Sequence, residues 1–244
     1  MRAVLFPGQG SQYAGMGKDF YEKFDSVKKV FRTVDSTLGF SLSNLILNGP
    51  EDKLKLTQNT QPAIMTVGVS IFNVLNQHLN LILNDSRFFA GHSLGEYTAL
   101  VCAGSLTIES AAYLLHKRGK AMQEAVPTGQ GAMIAVIGMT ISEVEKEISF
   151  LSKEQICEIA NENCDGQVVV SGTRVAIKAL NENLKKKKKK GIFLPVSAPF
   201  QNTLMQKAFE SMKKKNKNND FLKKKTRNIS KKRKSKRLKS NHVQ

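Results

Sequence analysis

The sequence predicts an α/β protein in which a parallel sheet covered by helices is followed by a smaller unit of strands and helices. Three observations support this. In the first 125 residues, short apolar runs typical of buried strands alternate with longer segments of helical periodicity. From about Gly129, the order of the predicted elements changes to β-α-β-β-α-β. A Gly-x-Ser-x-Gly turn, Gly91–Gly95, joins a predicted strand to a predicted helix.

The elements of the first half follow from their local patterns. Residues 12–40 place Phe20, Phe24, Val27 and Phe31 on one helical face. Ser105 or Thr107 is the expected N-cap of the last helix of this half. The predicted elements are, in order, a strand within 2–8, a helix within 12–40, a long apolar helix at 60–79, a strand ending at 88–90, a helix from 95 and a helix at 105–126.

The second half has the split βαβ order of a ferredoxin-like unit. Its predicted elements are a strand at 131–139, a helix at 140–153, strands at 155–162 and 166–173, a helix at 174–190 and a strand at 191–199. We therefore predict a core at 1–125, a ferredoxin-like subdomain at 126–198, a return to the core at 199–211 and a tail at 212–244. A cleft between core and subdomain is the expected substrate site.

The net charge of +18 is concentrated in two low-complexity tracts. Residues 211–244 contain 15 Lys or Arg and one acidic residue, and Lys185–Lys190 is an unbroken lysine run. Outside these tracts, 17 basic residues face 19 acidic ones, so the globular part is close to neutral. Like-charge blocks bury little apolar surface, and the tail is therefore predicted to be disordered.

Other features of the composition predict a soluble cytoplasmic protein. The three cysteines, Cys102, Cys157 and Cys164, have no C-x-x-C spacing and are expected to be reduced thiols. The four histidines are scattered, so no metal site is predicted. No apolar run approaches the length of a membrane span, and the first residues are too short an apolar stretch for a signal peptide.

Six motifs in collinear order, covering residues 1 to about 211, closely resemble the malonyl-CoA:acyl carrier protein transacylase family. They are FPGQGSQYAGMG (6–17), TQPAIM (60–65), GHSLGEYTALVCAG (91–104), RGKAMQEAVPTGQGAMIAVIG (118–138), GQVVVSG (166–172) and LPVSAPF (194–200). The resemblance implies an α/β-hydrolase-like core with a ferredoxin-like insert. It also implies transfer of a malonyl group from coenzyme A to the phosphopantetheine thiol of a carrier protein, through an acyl-serine, in fatty acid synthesis.

The resemblance assigns roles to residues of this sequence. Ser93 would be the nucleophile, and the backbone N–H groups of Gln9 and Leu94 would form the oxyanion hole. Arg118 would pair with the free malonyl carboxylate, for which its planar guanidinium is suited. Met122, one turn further, would line the same pocket or belong to the core. Asn163 would contact the substrate or cap its own turn.

Gln201 stands where the family has its catalytic histidine, two residues past the proline of LPVSAPF. A glutamine amide can hydrogen-bond to Ser93 but cannot hold a proton near neutral pH, so it cannot act as a general base. His92 adjoins Ser93 in sequence, but neighbouring side chains of such a turn point in different directions. We expect His92 to have a structural or supporting role. No residue of this sequence is thus identified as the base.

The resemblance ends near Met212, where the lysine-rich tail begins. One hypothesis is a frameshift at adenine-rich lysine codons, with loss of the remaining family motifs. A second is a catalytically inactive relic that still binds coenzyme A or carrier protein. A third is a nucleic-acid-binding protein, since KKRKSKRLK could contact an anionic polymer, although it lacks interleaved aromatic residues.

The expected partners follow from the preferred hypothesis. Malonyl-CoA and phosphopantetheinylated acyl carrier protein are substrates, and the resemblance implies no cofactor. A monomer with no membrane contact is expected, and nucleic acid is not an expected partner. The acyl-group preference stays open at this point.

Overall fold

The structure, a computed structural model, describes residues 2–78, 83–125, 129–151, 156–194 and 227–229. These residues form two compact units. The first holds the described residues of 2–54, 59–116 and 227–229, and the second holds the described residues of 55–58 and 117–194. The domain boundaries predicted from the sequence stay predictions.

A parallel sheet lies at the centre of the first unit. It contains β1 (Ala3–Phe6), β2 (Phe88–Gly91) and β7 (Arg227–Ile229) in the order β1-β2-β7. Strand β1 pairs with β2 from Ala3↔Phe88 to Phe6↔Gly91, and both pairings of β2 are parallel. The prediction of an α/β core with a parallel sheet is confirmed.

The strand β7 differs from the sequence-based expectation of a disordered tail. Its residues pair with β2 from Phe88↔Arg227 to Ala90↔Ile229. The physical reason is that strand pairing uses backbone N–H and C=O groups, which do not depend on a lysine-rich composition. Without this pairing, β2 would present an open edge on that side among the described residues.

Helices that belong wholly or in part to the first unit connect and cover its sheet. The stretch predicted as one helix is divided at Phe24, whose backbone is extended with φ −124° and ψ 118°. Thr107 caps the last helix by accepting a hydrogen bond from the N–H of Ser110 at 3.2 Å. The helices are α1 (Lys18–Lys23), α2 (Asp25–Leu38), α3 (Leu42–Asn48), α4 (Glu51–Leu54), α5 (Thr57–His78), a short 3-10 helix (Leu83–Asp85), α6 (Gly95–Cys102) and α7 (Ile108–Ala125).

Aromatic side chains between the sheet and its helices form a core cluster. Phe6 of β1, Phe72 of α5 and Phe89 of β2 are buried together with Ala99 and Ala103. The ring centroids of Phe6 and Phe72 are 6.3 Å apart, and those of Phe72 and Phe89 are 5.9 Å apart. Such tilted and edge-to-face contacts bury large apolar areas directly behind the ends of β1 and β2.

A four-stranded antiparallel sheet forms the second unit. Its strand order, β4-β5-β3-β6, with helices after its first and third strands in sequence, confirms the predicted ferredoxin-like unit. The elements are β3 (Gly131–Ile137), α8 (Ile141–Ser149), β4 (Cys157–Cys164), β5 (Gln167–Thr173), α9 (Arg174–Lys186) and β6 (Lys190–Phe193).

Both faces of this antiparallel sheet are covered. On one face, apolar residues of β3 and β5 such as Ile134 and Val170 pack with Ile177 and Leu180 of α9. On the other, Met122 of α7 packs with Met133, Ala135, Ala160 and Val169 of the strands. The second half of α7 is therefore part of the packing of this unit. No helix within the described ranges is long and apolar enough to cross a membrane.

Candidate active site

Ser93 occupies the sharp turn between β2 and α6. Its φ is 57°, in the left-handed region that a residue with a Cβ seldom adopts. Such a conformation costs about 1–3 kcal/mol and persists only where the surrounding structure enforces it. The turn is closed by the N–H of Gly95, which donates to the carbonyl of His92 at 3.0 Å. The Gly-x-Ser-x-Gly motif thus forms the strand–turn–helix that the sequence predicts.

The two glycines of the motif allow this turn because backbone occupies the space of a side chain. A Cβ on Gly91 would lie 1.9 Å from the carbonyl carbon of Gly95. A Cβ on Gly95 would lie 2.6 Å from the carbonyl oxygen of Phe6 and 2.8 Å from that of Pro7. Any side chain at either position would therefore push α6 away from β1 and β2.

The segment that carries Gln9 lies against the same turn. The N–H of His92 donates to the carbonyl of Phe6 at 3.1 Å, which continues the β1–β2 pairing beyond the strands. A Cβ on Gly8 would lie 2.4 Å from Nδ1 of His92, so the two residues are in close contact. The hydroxyl of Ser11 donates to the carbonyl of Gly8 at 3.1 Å. Gln9 therefore directly follows the residue that contacts the Ser93 turn.

Leu94 fixes the start of α6 through its buried side chain, which is 1% exposed. Its backbone precedes the first turn of the helix, where N–H groups lack helical acceptors and the macrodipole favours negative charge. A negative charge that develops beside Ser93 would therefore lie in a favourable field. These features make the Ser93 turn suitable for stabilising an oxyanion.

The second unit contains Arg118 and Met122, which are four residues apart on α7. Met122 is buried in the cluster on one face of the antiparallel sheet. Between them, Gly119 abuts the start of α5, since a Cβ there would lie 2.4 Å from Cα of Gln58. This backbone contact fixes the turn of α7 that carries Arg118, which is half-buried.

Asn163 is exposed near the end of β4, where the pairing with β5 shifts register between Glu162 and Cys164. Its side chain therefore stands at an irregular strand end rather than within the regular ladder. Gln201 lies outside the described residues. The roles of these two residues stay predictions, as do those of Ser93, Gln9, Leu94, Arg118 and Met122.

Sequence reasoning did not find the contact between Gly8 and His92. The two residues are far apart in the sequence, and no local periodicity links them. The clue available in the sequence was the presence of small or glycine residues in both segments, which permits close backbone approach. The contact makes His92 a neighbour of the Gln9 segment as well as of Ser93.

Two cysteine thiols, one in each unit, have raised pKa values. Burial raises the pKa of the Cys102 thiol, at the end of α6, well above its ordinary value. Burial, together with the nearby Glu158 carboxylate, raises the pKa of Cys157 to about 12. Within the described ranges, no group of three or more His, Cys, Asp and Glu residues could hold a metal ion. Because their pKa values are raised, the thiols of Cys102 and Cys157 are both neutral near pH 7.

Comparison with protein families gives a match over nearly the whole chain. The profile of the acyl transferase domain matches residues 4–243. Among curated proteins, the malonyl CoA-acyl carrier protein transacylase of Bacillus subtilis is 43% identical over 213 residues, which are 86% of this chain and 66% of that protein. The chain thus spans about two thirds of the length of that relative.

Solved structures give the same match. An acyl-carrier-protein S-malonyltransferase from Bartonella henselae is 42% identical with a TM-score of 0.88, and the alignment covers 94% of this chain and 74% of that one. A type II PKS acyl-carrier protein in complex with its malonyl-transacylase gives 35% identity and a TM-score of 0.86, covering 93% and 73% of the two chains.

Proposed function

Because the chain belongs to the acyl transferase domain family, and within it to the malonyl CoA-acyl carrier protein transacylases, we propose that it catalyses malonyl transfer. The malonyl group moves from malonyl-CoA to the phosphopantetheine thiol of acyl carrier protein, through an ester on Ser93. The observation that carries this proposal is the left-handed backbone of Ser93 between β2 and α6.

In the first half-reaction, Oγ of Ser93 attacks the thioester carbonyl carbon of malonyl-CoA. The Oγ–C bond forms, and the carbonyl oxygen becomes an oxyanion that accepts hydrogen bonds from the N–H groups of Gln9 and Leu94. The C–S bond then breaks, and the coenzyme A thiolate leaves. Stabilisation by one such donor is worth about 10²- to 10³-fold in rate.

In the second half-reaction, the thiol sulfur of the carrier protein attacks the carbonyl carbon of the Ser93 ester, so that a C–S bond forms and the C–Oγ bond breaks. The thiol loses its proton to solvent, and Oγ of Ser93 takes a proton from solvent as the serine is released. Arg118 binds the free carboxylate of the malonyl group through a bidentate ion pair. An acetyl group lacks this carboxylate, so Arg118 provides the selectivity for malonyl. Asn163 contributes a side-chain amide to the same substrate.

Removal of the proton from the Ser93 hydroxyl is expected to be the slow step, because no general base is identified in this chain. The proton of Ser93 needs an acceptor, and the amide of Gln201 cannot take it. A missing general base costs about 10²- to 10⁴-fold in rate. We therefore expect acylation with water or buffer as the proton acceptor, at a rate far below that of a histidine-containing relative.

The remaining features of the proposal concern setting and partners. The reaction uses malonyl-CoA and carrier protein as substrates and no cofactor, and it serves fatty acid synthesis. The protein acts as a monomer in the cytoplasm without membrane attachment. The two substrates are supported by the names of the relatives, whereas the location is proposed from the scattered cysteines and the absence of a long apolar run in the sequence.

The experiment that tests this proposal follows formation of malonyl carrier protein by mass spectrometry. Purified chain, malonyl-CoA and phosphopantetheinylated carrier protein are mixed, and the malonyl adduct on the carrier is measured with time. Ser93→Ala, purified in parallel, is the control for contaminating host enzyme. An adduct that forms with the natural chain and not with Ser93→Ala supports the proposal, whereas equal rates for the two proteins contradict it.

A further inference from the structure

His92 is in contact with the segment that carries Gln9. Its N–H donates to the carbonyl of Phe6 at 3.1 Å, so its backbone is fixed relative to the end of β1. From there, its side chain reaches Gly8. A Cβ on Gly8 would lie 2.4 Å from Nδ1 and 3.3 Å from Cγ of His92, and 2.8 Å from the His92 carbonyl oxygen. The imidazole therefore fills the space in which a side chain at position 8 would lie.

The other contacts of this segment restrain its two ends. On the N-terminal side, the absence of a side chain at Gly95 lets the carbonyl groups of Phe6 and Pro7 approach α6. On the C-terminal side, the N–H of Gly10 donates to Oε1 of Gln12 at 2.8 Å. The His92 ring lies between these restraints, at Gly8, immediately before the Gln9 amide.

We propose that His92 is a positioning residue that acts through Gly8 to hold the Gln9 N–H in its direction towards the oxyanion. This inference rests on the proposed function, because it assigns His92 a part in the acylation of Ser93. The His92 ring packs against Gly8 and so limits movement of the Gly8–Gln9 backbone towards the space that the ring occupies. In this role His92 acts on the Gly8–Gln9 backbone and takes no chemical part in the transfer.

The effect of this support is kinetic. An oxyanion-hole donor must lie about 2.7–3.1 Å from the oxyanion to be effective. A misplacement of about 1 Å can cost on the order of 10²-fold in rate. Removal of the ring is therefore expected to slow acylation about 10- to 100-fold at saturating malonyl-CoA, with little change in KM.

Two substitutions of His92 separate positioning from general packing. His92→Ala removes Cγ and the ring atom nearest to Gly8. His92→Asn keeps Cγ and an atom at the place of Nδ1, and should therefore retain the support. Since His92 is exposed, neither change removes a buried apolar group, and the fold should persist. His78→Ala is the matched control, because His78 is also exposed and has its own ring contact, 4.9 Å from the Phe24 centroid.

Three measurements on the full chain test the proposal. The first is the rate of Ser93 malonylation by malonyl-CoA. The second is Ser93 labelling by a fluorophosphonate, in which the Oγ–P bond forms, the P–F bond breaks, fluoride leaves and the hydroxyl proton passes to buffer. This probe needs the Ser93 turn and the oxyanion hole but no malonyl pocket. The third is amide hydrogen exchange of the peptide that covers residues 6–12, which requires no activity.

In His92→Ala we expect slower labelling of Ser93 and faster amide exchange of residues 6–12. In His92→Asn and His78→Ala both rates should equal those of the natural chain. Unchanged exchange in His92→Ala overturns the proposal even if the chain is inactive. Equal labelling rates for His92→Ala and the natural chain also overturn it. If the natural chain reacts with the fluorophosphonate and not with malonyl-CoA, the proposed function fails, and the role of His92 is still decided by the probe and the exchange.

Discussion

Gly91 and Gly95 approach each other so closely that a Cβ on Gly91 would lie 1.9 Å from the carbonyl carbon of Gly95. This contact places the first turn of α6 directly over the end of β2. Ser93, between the two glycines, has no room for a relaxed backbone and adopts a φ of 57°. The strained serine and the two glycines are thus one structural unit.

Gly91→Ala is expected to abolish Ser93 acylation. The new methyl group would collide with backbone atoms that cannot rotate away, so the free energy of unfolding should fall by about 3 kcal/mol or more. Chemical denaturation and Ser93 labelling measure the two effects. Gly68→Ala is the control, since its Cβ would meet two side chains, Cγ2 of Thr98 at 3.1 Å and Cδ1 of Phe6 at 3.8 Å, and not the backbone of another element. Comparable losses in both variants would contradict this explanation.

Arg118→Gln is expected to change the preference between acyl groups. Loss of one partner of a desolvated ion pair costs about 2–5 kcal/mol, so kcat/KM for malonyl-CoA should fall at least about 30-fold. The rate with acetyl-CoA should stay within about threefold, because acetyl has no carboxylate to lose. Lys120→Gln, on the same helix and paired at its surface with Glu124 at 3.8 Å, serves as the control. Parallel losses for both acyl groups would exclude a role in selectivity.

Gln201→His is expected to supply the missing base. Acylation should accelerate about 10²- to 10⁴-fold. The rate should also depend on pH near the usual histidine pKa of about 6.5, rising as the imidazole loses its proton. Asn202→His, one residue away, is the control and should have the same rate and pH profile as the natural chain. A pH-independent rate in Gln201→His would show that the new histidine does not act as a base.

The thiols of Cys164 and Cys157 are expected to differ in reactivity. Cys164 is exposed and should react with a thiol reagent at pH 8, while buried Cys157 should react only after unfolding. Because burial and Glu158 raise the pKa of Cys157 from 9.0 to about 12, the unfolded thiol ionises first as the pH rises. The free energy of unfolding should therefore decrease between about pH 9 and 12. In Cys157→Ala the free energy of unfolding should decrease less over this pH range. An equal decrease in Cys157→Ala and the natural chain would show that ionisation of Cys157 is not its cause.

Thr140→Ala is expected to destabilise the second unit by about 1 kcal/mol. Thr140 begins α8 with a reciprocal capping box, in which its N–H donates to Glu143 Oε2 at 2.7 Å. Hydrogen bonds from the Thr140 N–H and hydroxyl lower the pKa of the Glu143 carboxyl in the folded state. The stability that the Glu143 carboxylate contributes is therefore present above its unfolded pKa and is lost as the pH falls through its folded pKa. The penalty measured by denaturation should be smaller at pH 3 than at pH 7. Thr33→Ala, in the middle of α2, is the control and should cost less.

Much of the fold could be predicted from the sequence because its elements have clear local periods. The apolar run before Gly91 and the alternation after Gly129 correctly indicated β2 and the ferredoxin-like unit. The break at Phe24 was missed because an apolar residue there preserves the helical pattern even though its backbone is extended. The strand β7 was missed because charge composition carries no information on backbone pairing.

Only part of the candidate site could be predicted from the sequence. The turn around Ser93 has a compact motif whose glycines are required by local geometry. The contact of Gly8 with His92 depends on two segments that meet only in the folded chain, so no local pattern indicates it. The core position of Met122 likewise depends on which sheet face α7 covers.

Acceptance of a malonyl group by Ser93 is the step on which the proposed function depends. The most direct test is the intact mass of the purified chain before and after incubation with malonyl-CoA in the absence of carrier protein. We predict a single malonyl increment, located on Ser93 by peptide mapping and absent from Ser93→Ala. A folded chain that gains no increment on prolonged incubation, or gains it equally in Ser93→Ala, would contradict the account.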